Sequence, residues 1–218
     1  MDTFDFKFIW LGQTICKYQV PLDIFRALNG IYEERFVNLP NASKQLVGKI
    51  EDQHSLYFDG TKNDKMHCHN FLSPYILEYF KSRARHYLDF NRIDIQSLHI
   101  NSVWVNETRR YEFNPVHIHQ GTLFTGLSSV MFLKLCDMGP ELSRPDQPMN
   151  GRLQIMGNSS GQFVKSDYSP TVEERDFYLF PYDMRHCVYP HNNPKGIRRT
   201  LVVNMDIEYD PVKSRSAS

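Results

Sequence analysis

The chain has 218 residues, with 25 acidic side chains against 25 basic ones and a formal net charge of zero. Such a balance excludes binding that relies on a broad positive field, to nucleic acid or to an anionic membrane, while leaving room for a local patch. No apolar run approaches the roughly 20 residues needed to cross a bilayer.

The length suits one domain spanning residues 1–218. The opening MDTFDFKFIWLG carries two early aspartates and no basic region, so it does not read as a secretory signal. Cys16, Cys68, Cys136 and Cys187 are scattered without a CxxC pair. Neither a disulfide framework nor a cysteine-rich zinc site is therefore expected, and a reducing cytoplasm is the default compartment.

In chain order, PLDIFRALNGIYEERF (21–36) predicts a helix. Ile24, Leu28, Ile31 and Tyr32 fall at helical spacing, and Pro21 suits the first turn. A weaker helical segment is expected around 42–50. SPYILEYFKSRARHYLDF (73–90) is the clearest helix, with Ser73 as cap and Pro74 at its first position. Its packed face is expected to carry Tyr75, Leu77, Tyr79 and Phe80.

After residue 95 the pattern turns to short β-rich runs separated by turn residues: 97–106, 109–113, 116–120, 127–135, 152–157, 176–182, 186–191 and 198–209. Pro and Gly clusters at 139–151 and 190–196 mark longer loops. Many short strands point to a sandwich, jelly roll or barrel. The expected architecture is mainly β, with a helical buttress over about 20–92 against a β core over about 97–209. The tail KSRSAS reads as a polar, frayed end.

Nine histidines are present, of which His54, His86, His99 and His191 read as surface or structural. His117-Ile118-His119 differs, because alternate residues of a strand share a face and both imidazoles then point the same way. Two imidazoles on one side of a sheet suit a transition metal. Downstream, the apolar run Asp176–Pro181 is followed five residues later by His186, a candidate third ligand. Three protein ligands on one face leave positions open for substrate, water or oxygen. His67-Cys68-His69 repeats the spacing, but in a polar stretch with no further ligand at hand. Arg198 and Thr200 open the last strand two residues apart and so share a face. A guanidinium and a hydroxyl together can grip a carboxylate.

Four segments, SVWVNETRRYEFNPVHIHQG (102–121), LSSVMFLKL (127–135), DFYLFPYDMRHCVYP (176–190) and RRTLVVNMDI (198–207), carry a resemblance. They resemble the iron(II)/2-oxoglutarate-dependent oxygenases, and within them a group seen in bacteria and tailed phages. The signature is the order WVN, NPVHIH, FP…H…YP and R-x-T…N. The resemblance implies a double-stranded β-helix, a cupin-like jelly roll, and Fe(II) held by His117, His119 and His186. It also implies that Arg198 and Thr200 hold the far carboxylate of 2-oxoglutarate. The activity implied is a dioxygenase that hydroxylates an unidentified organic substrate and releases succinate and carbon dioxide, in a host cytoplasm if the chain is phage-encoded.

One departure stands out. The superfamily usually shows His-x-Asp/Glu, whereas this chain has His-x-His. Three ligand sets remain: all three histidines; one of His117 and His119 with the other beside the metal; or a carboxylate from elsewhere, Glu112 or Asp137. The first is the expectation carried forward. Two other classes compete, a three-histidine cupin enzyme that does not use 2-oxoglutarate and a non-catalytic β-sandwich module.

Overall fold

A computed structural model describes residues 12–41, 43, 48–60, 68–143, 145–158, 161–162 and 164–216. In chain order the elements are β1 (Cys16–Gln19), α1 (Leu22–Arg35), β2 (Asp52–Phe58), β3 (His69–Asn70), α2 (Pro74–Phe90), β4 (Ile95–Thr108) and β5 (Asn114–His117). There follow β6 (Gly126–Lys134), β7 (Leu153–Met156), β8 (Asp167–Tyr168), β9 (Asp176–Pro181), β10 (Arg185–Val188), β11 (Arg198–Tyr209) and α3 (Pro211–Ser216). A major sheet runs β1-β9-β6-β11-β4-β2-β3 and a minor one β5-β10-β7-β8. Every pairing is antiparallel.

The central strands are buried on both faces. In β11 every residue from Arg198 to Ile207 is buried. Side chains alternate across a strand, so two chemically distinct faces result. Leu201, Val203, Met205 and Ile207 join Val103, Val105, Met131, Phe177 and Leu179 in a core that also takes Ile24, Leu28 and Tyr32 of α1 and Ile76, Phe80 and Ala84 of α2. The opposite faces of β6 and β9 place Val130, Phe132, Tyr178 and Phe180 against Leu153 and Ile155 of the minor sheet and against Met184. The two sheets thus close over an interior, the double-stranded β-helix, with helices packed on the outside of the major sheet.

Both predicted long helices form within a residue or two of their expected bounds. Ser73 Oγ accepts from the Ile76 N–H at 3.3 Å and Pro74 occupies the first turn. The buried stripe of α2 is Ile76, Phe80, Ala84, Tyr87 and Leu88, whereas Tyr75 is 65% exposed. The apolar stripe thus lies one position on from Tyr75. α1 is tied to the sheet by Arg199. Its guanidinium donates to Glu107 at 2.9 Å and to Glu33 at 3.1 Å, and lies over the Tyr32 ring.

Several expectations are corrected. Residues 109–113 form a turn, not a strand, with Tyr111 at φ 65°. Glu112 stabilises that turn, its carboxylate accepting from the N–H groups of Arg109 at 2.6 Å and Glu51 at 3.0 Å. The helix expected around 42–50 lies mostly outside the described residues, and at its end Lys49 bridges Phe113 as a strand does. The expected frayed tail is helical over Pro211–Ser216, and the last two residues lie outside the described set. The N-terminal part supplies strands as well as helices, β1 and β2 both joining the major sheet. Residues 1–11 and His67 also lie outside the described residues.

Candidate metal centre

β5 and β10 are neighbours, and their register sets His117 directly across from His186. Their ring centroids are 4.2 Å apart. His119 lies two residues past the end of β5, yet its side chain keeps the alternation, with Val116 and Ile118 exposed on the other side. The His119 N–H donates to the Tyr182 carbonyl at 3.0 Å, which pins the loop. Beyond it, Gly121 passes so close to Asp206 that a Cβ would sit 1.9 Å from Oδ1, and the Asp206 carboxylate accepts from Thr122 N–H at 2.9 Å. The outcome is a cluster in which one ligating atom from each of His117, His119 and His186 lies within 4.8 Å of the others.

The hydrogen bonds fix which nitrogens face inward. His117 Nδ1 lies 2.7 Å from the Pro115 carbonyl and His186 Nδ1 lies 3.0 Å from that of Met184. A carbonyl only accepts, so both Nδ1 atoms carry the proton and both Nε2 atoms carry a lone pair. His119 Nε2 stands 3.0 Å from His186 Nε2. Burial is the main cause that depresses all three imidazoles. It holds His186 down to about 4 and His119 well below its ordinary value, with the neighbouring imidazoles adding to the effect. His117 is lowered too. Three neutral imidazoles gathered this closely form the donor set that iron, zinc, copper or nickel takes.

Glu112 is committed to its turn, and Asp137 Oδ1 accepts from Gly139 N–H at 3.0 Å. Among the described residues no carboxylate joins the cluster. Of the second His-x-His pair, His67 lies outside the described residues, and His69 Nε2 lies 2.7 Å from Ser55 Oγ.

Arg198 and Thr200 lie on the interior-facing side of β11, and both are buried. Among the described residues Arg198 is the largest fully buried side chain, 1% exposed, with its guanidinium carbon 5.0 Å from the Phe132 ring centroid. Its Nε and Nη2 have no hydrogen-bond partner among the described residues. Burial lowers it to about 10, so it remains a cation at neutral pH. An unpaired buried charge costs several kcal/mol, by order of magnitude, and calls for an anion. Nε and Nη2 form one edge of the guanidinium fork, the edge that meets a carboxylate with two parallel bonds. Asn106, opposite Thr200, adds a buried Oδ1 without a partner. The protein groups therefore fit both a metal ion and a carboxylate co-substrate.

Sequence reasoning assigned no role to Asn106, Asn114 or Asn204, although each lies inside the quoted motif. Asn114 Nδ2 reaches His117 Nε2 at 3.3 Å and Asn204 Nδ2 reaches His119 Nδ1 at 3.3 Å. Asparagine clustered in strands, where it is disfavoured, was the available signal. Trp104 also stands beside the cluster, its ring centroid 5.9 Å from that of His119.

No protein-family model and no curated protein sequence matches the chain. Solved structures do. An oxidoreductase of the 2OG-Fe(II) oxygenase family from Burkholderia pseudomallei matches with a TM-score of 0.57 at 13% identity, covering 87% of this chain and 84% of that one. AviO1 from Streptomyces viridochromogenes matches at 0.53 and 15%, covering 92% and 91%. A Pseudomonas putida prolyl-4-hydroxylase matches at 0.52 and 14%, covering 91% and 93%. At these identities the likeness is one of fold: the chain has the double-stranded β-helix on which the 2-oxoglutarate and iron oxygenases are built.

Proposed function

We propose that the chain is an iron(II)- and 2-oxoglutarate-dependent dioxygenase acting as one domain, helical buttress about 20–92 and β core about 97–209, in a reducing cytoplasm. The metal is held by His117, His119 and His186, and the far carboxylate of 2-oxoglutarate by Arg198 and Thr200. The observation that carries the reading is the buried Arg198 fork, without a partner among the described residues and on the same face of β11 as Asn204, which reaches His119 of the three-histidine cluster.

Iron(II) bound there, with 2-oxoglutarate, supplies dioxygen activation and oxidation of a substrate C–H bond, the co-substrate leaving as succinate and carbon dioxide. The chain's own groups do the rest. Neutral imidazoles present lone pairs without first shedding a proton. Arg198 fixes the far end of the co-substrate, and its unmet charge makes an uncharged occupant a poor substitute. Phe180 packs edge-on to His186 with centroids 4.9 Å apart and Trp104 stands beside His119, so aromatic rings cover part of the cluster.

The three-histidine composition is the observation that favours the rival reading, a cupin-type enzyme without 2-oxoglutarate. Arg198 separates the two. Arg198→Ala is expected to weaken 2-oxoglutarate binding at least 100-fold by anaerobic calorimetry while Co(II) binding changes less than threefold. Unchanged 2-oxoglutarate affinity, or no 2-oxoglutarate binding by the metal-loaded wild type, would sink the dioxygenase reading.

A further inference from the structure

His117 and His186 each give their Nδ1 proton to a backbone carbonyl, so their tautomer is permanent. His119 is different. Its Nδ1 faces the side-chain amide of Asn204, a group that can present either a donor or an acceptor. Asn204 Oδ1 in turn accepts from Ser128 Oγ at 2.8 Å, and both residues are buried. In this arrangement the Asn204 amide donates to Nδ1. The His119 proton then sits on Nε2, where it is directed at His186 Nε2, 3.0 Å away. That tautomer cannot ligate through Nε2.

Resting on the metal reading above, we propose that Asn204, braced by Ser128, is the positioning residue that sets the tautomer of His119 and so makes the third ligand available. In the metal-free protein the amide donates to Nδ1. On metal binding the amide turns over, Oδ1 accepts from a proton now on Nδ1, Nδ2 donates to the Ser128 hydroxyl, and Nε2 is left as a lone pair. The proton count of His119 is unchanged; only its site differs. A hydroxyl partner tolerates both states because it rotates to give or to accept. Groups of this kind beyond the ligands commonly govern metal affinity by 10–100-fold.

The device predicts opposite outcomes for two substitutions of similar size. Asn204→Asp offers an acceptor only, which locks the proton on Nδ1, so Co(II) affinity by calorimetry equals or exceeds that of wild type. Asn204→Leu removes the partner, and Co(II) affinity falls 10–100-fold. Ser128→Ala, which leaves the amide itself in place, gives an intermediate loss of threefold or more. The direct readout is long-range 1H–15N NMR of 15N-histidine-labelled metal-free protein, with the His119 signal assigned from a His119→Gln sample. Wild type shows the proton on Nε2 and Asn204→Asp shows it on Nδ1. The same His119 tautomer in both, or Asn204→Leu binding Co(II) within threefold of wild type, overturns the proposal. Wild-type protein that binds no Co(II) overturns the metal reading as well, whereas wild-type binding indifferent to residue 204 removes this inference alone.

Discussion

Neutrality is the property that the three clustered imidazoles owe to burial, and it has a pH signature. His186 is held at about 4 in the folded chain against about 6.5 unfolded, so the unfolded chain takes up protons first as the pH falls. Its contribution is fully present above pH 6.5 and is lost on acidification from 6.5 toward 4. Thermal denaturation of the metal-free protein is expected to show the midpoint falling through that window, with a shallower fall in His186→Gln. Co(II) affinity is expected to change little between pH 7.5 and 6, where three ordinary imidazoles would lose roughly fifty-fold. At this scale the cluster was legible because His-x-His in a strand dictates a shared face. Asn204 was not, because it lies 85 residues from His119 in sequence and only the rolled sheet brings them together. Alternation sends Arg198 inward to an unmet charge and Arg199 outward to a helix.

Among the elements, β11 matches its predicted bounds, since twelve residues of near-continuous β-rich sequence between a loop and a proline admit no other reading. The stretch 109–113 misled because Arg-Arg-Tyr-Glu-Phe alternates like a strand. Glu112 captures the Arg109 N–H locally and turns the chain instead. β1 escaped notice because it has four residues, and β2 because it opens on four polar ones, Asp52 to Ser55; partners lie far off in sequence, such as Asp176 for Lys17 at 2.9 Å. The bond between α1 and the major sheet makes its own prediction. Arg199→Ala leaves Glu107 buried with Arg109, at 3.7 Å, as its remaining cation among the described residues. Urea denaturation is expected to show a loss of about 3 kcal/mol. The double substitution Arg199→Met, Glu107→Leu should cost less than the single one, because it leaves no uncompensated charge.

Across the whole molecule, several consecutive strands are dealt to different sheets, so chain order alone does not set contact. β5 belongs to the minor sheet and β6 to the major one, while β9 and β10 divide the same way. The sequence pattern can count such strands and mark their inward faces. It cannot say which pairs become neighbours, since that depends on how two twisted layers close. Among the described residues no helix is long and apolar enough to cross a membrane.

The placement of the three imidazoles also has a mechanical consequence. His117 sits on β5, at the margin of the minor sheet, and β5 pairs with β10 alone among the named strands. His119 is anchored through Asn204 to the middle of the other layer. A cation gripped by all three would act as a rivet through both leaves, and its grip would be felt as rigidity far from any chemistry. Hydrogen–deuterium exchange should slow over residues 114–121 when Co(II) is added, and the melting midpoint should climb with the logarithm of free metal. Cutting the rivet with His117→Ala should return both to the values of the empty sandwich, which would make local stiffness a gauge of loading that needs no substrate.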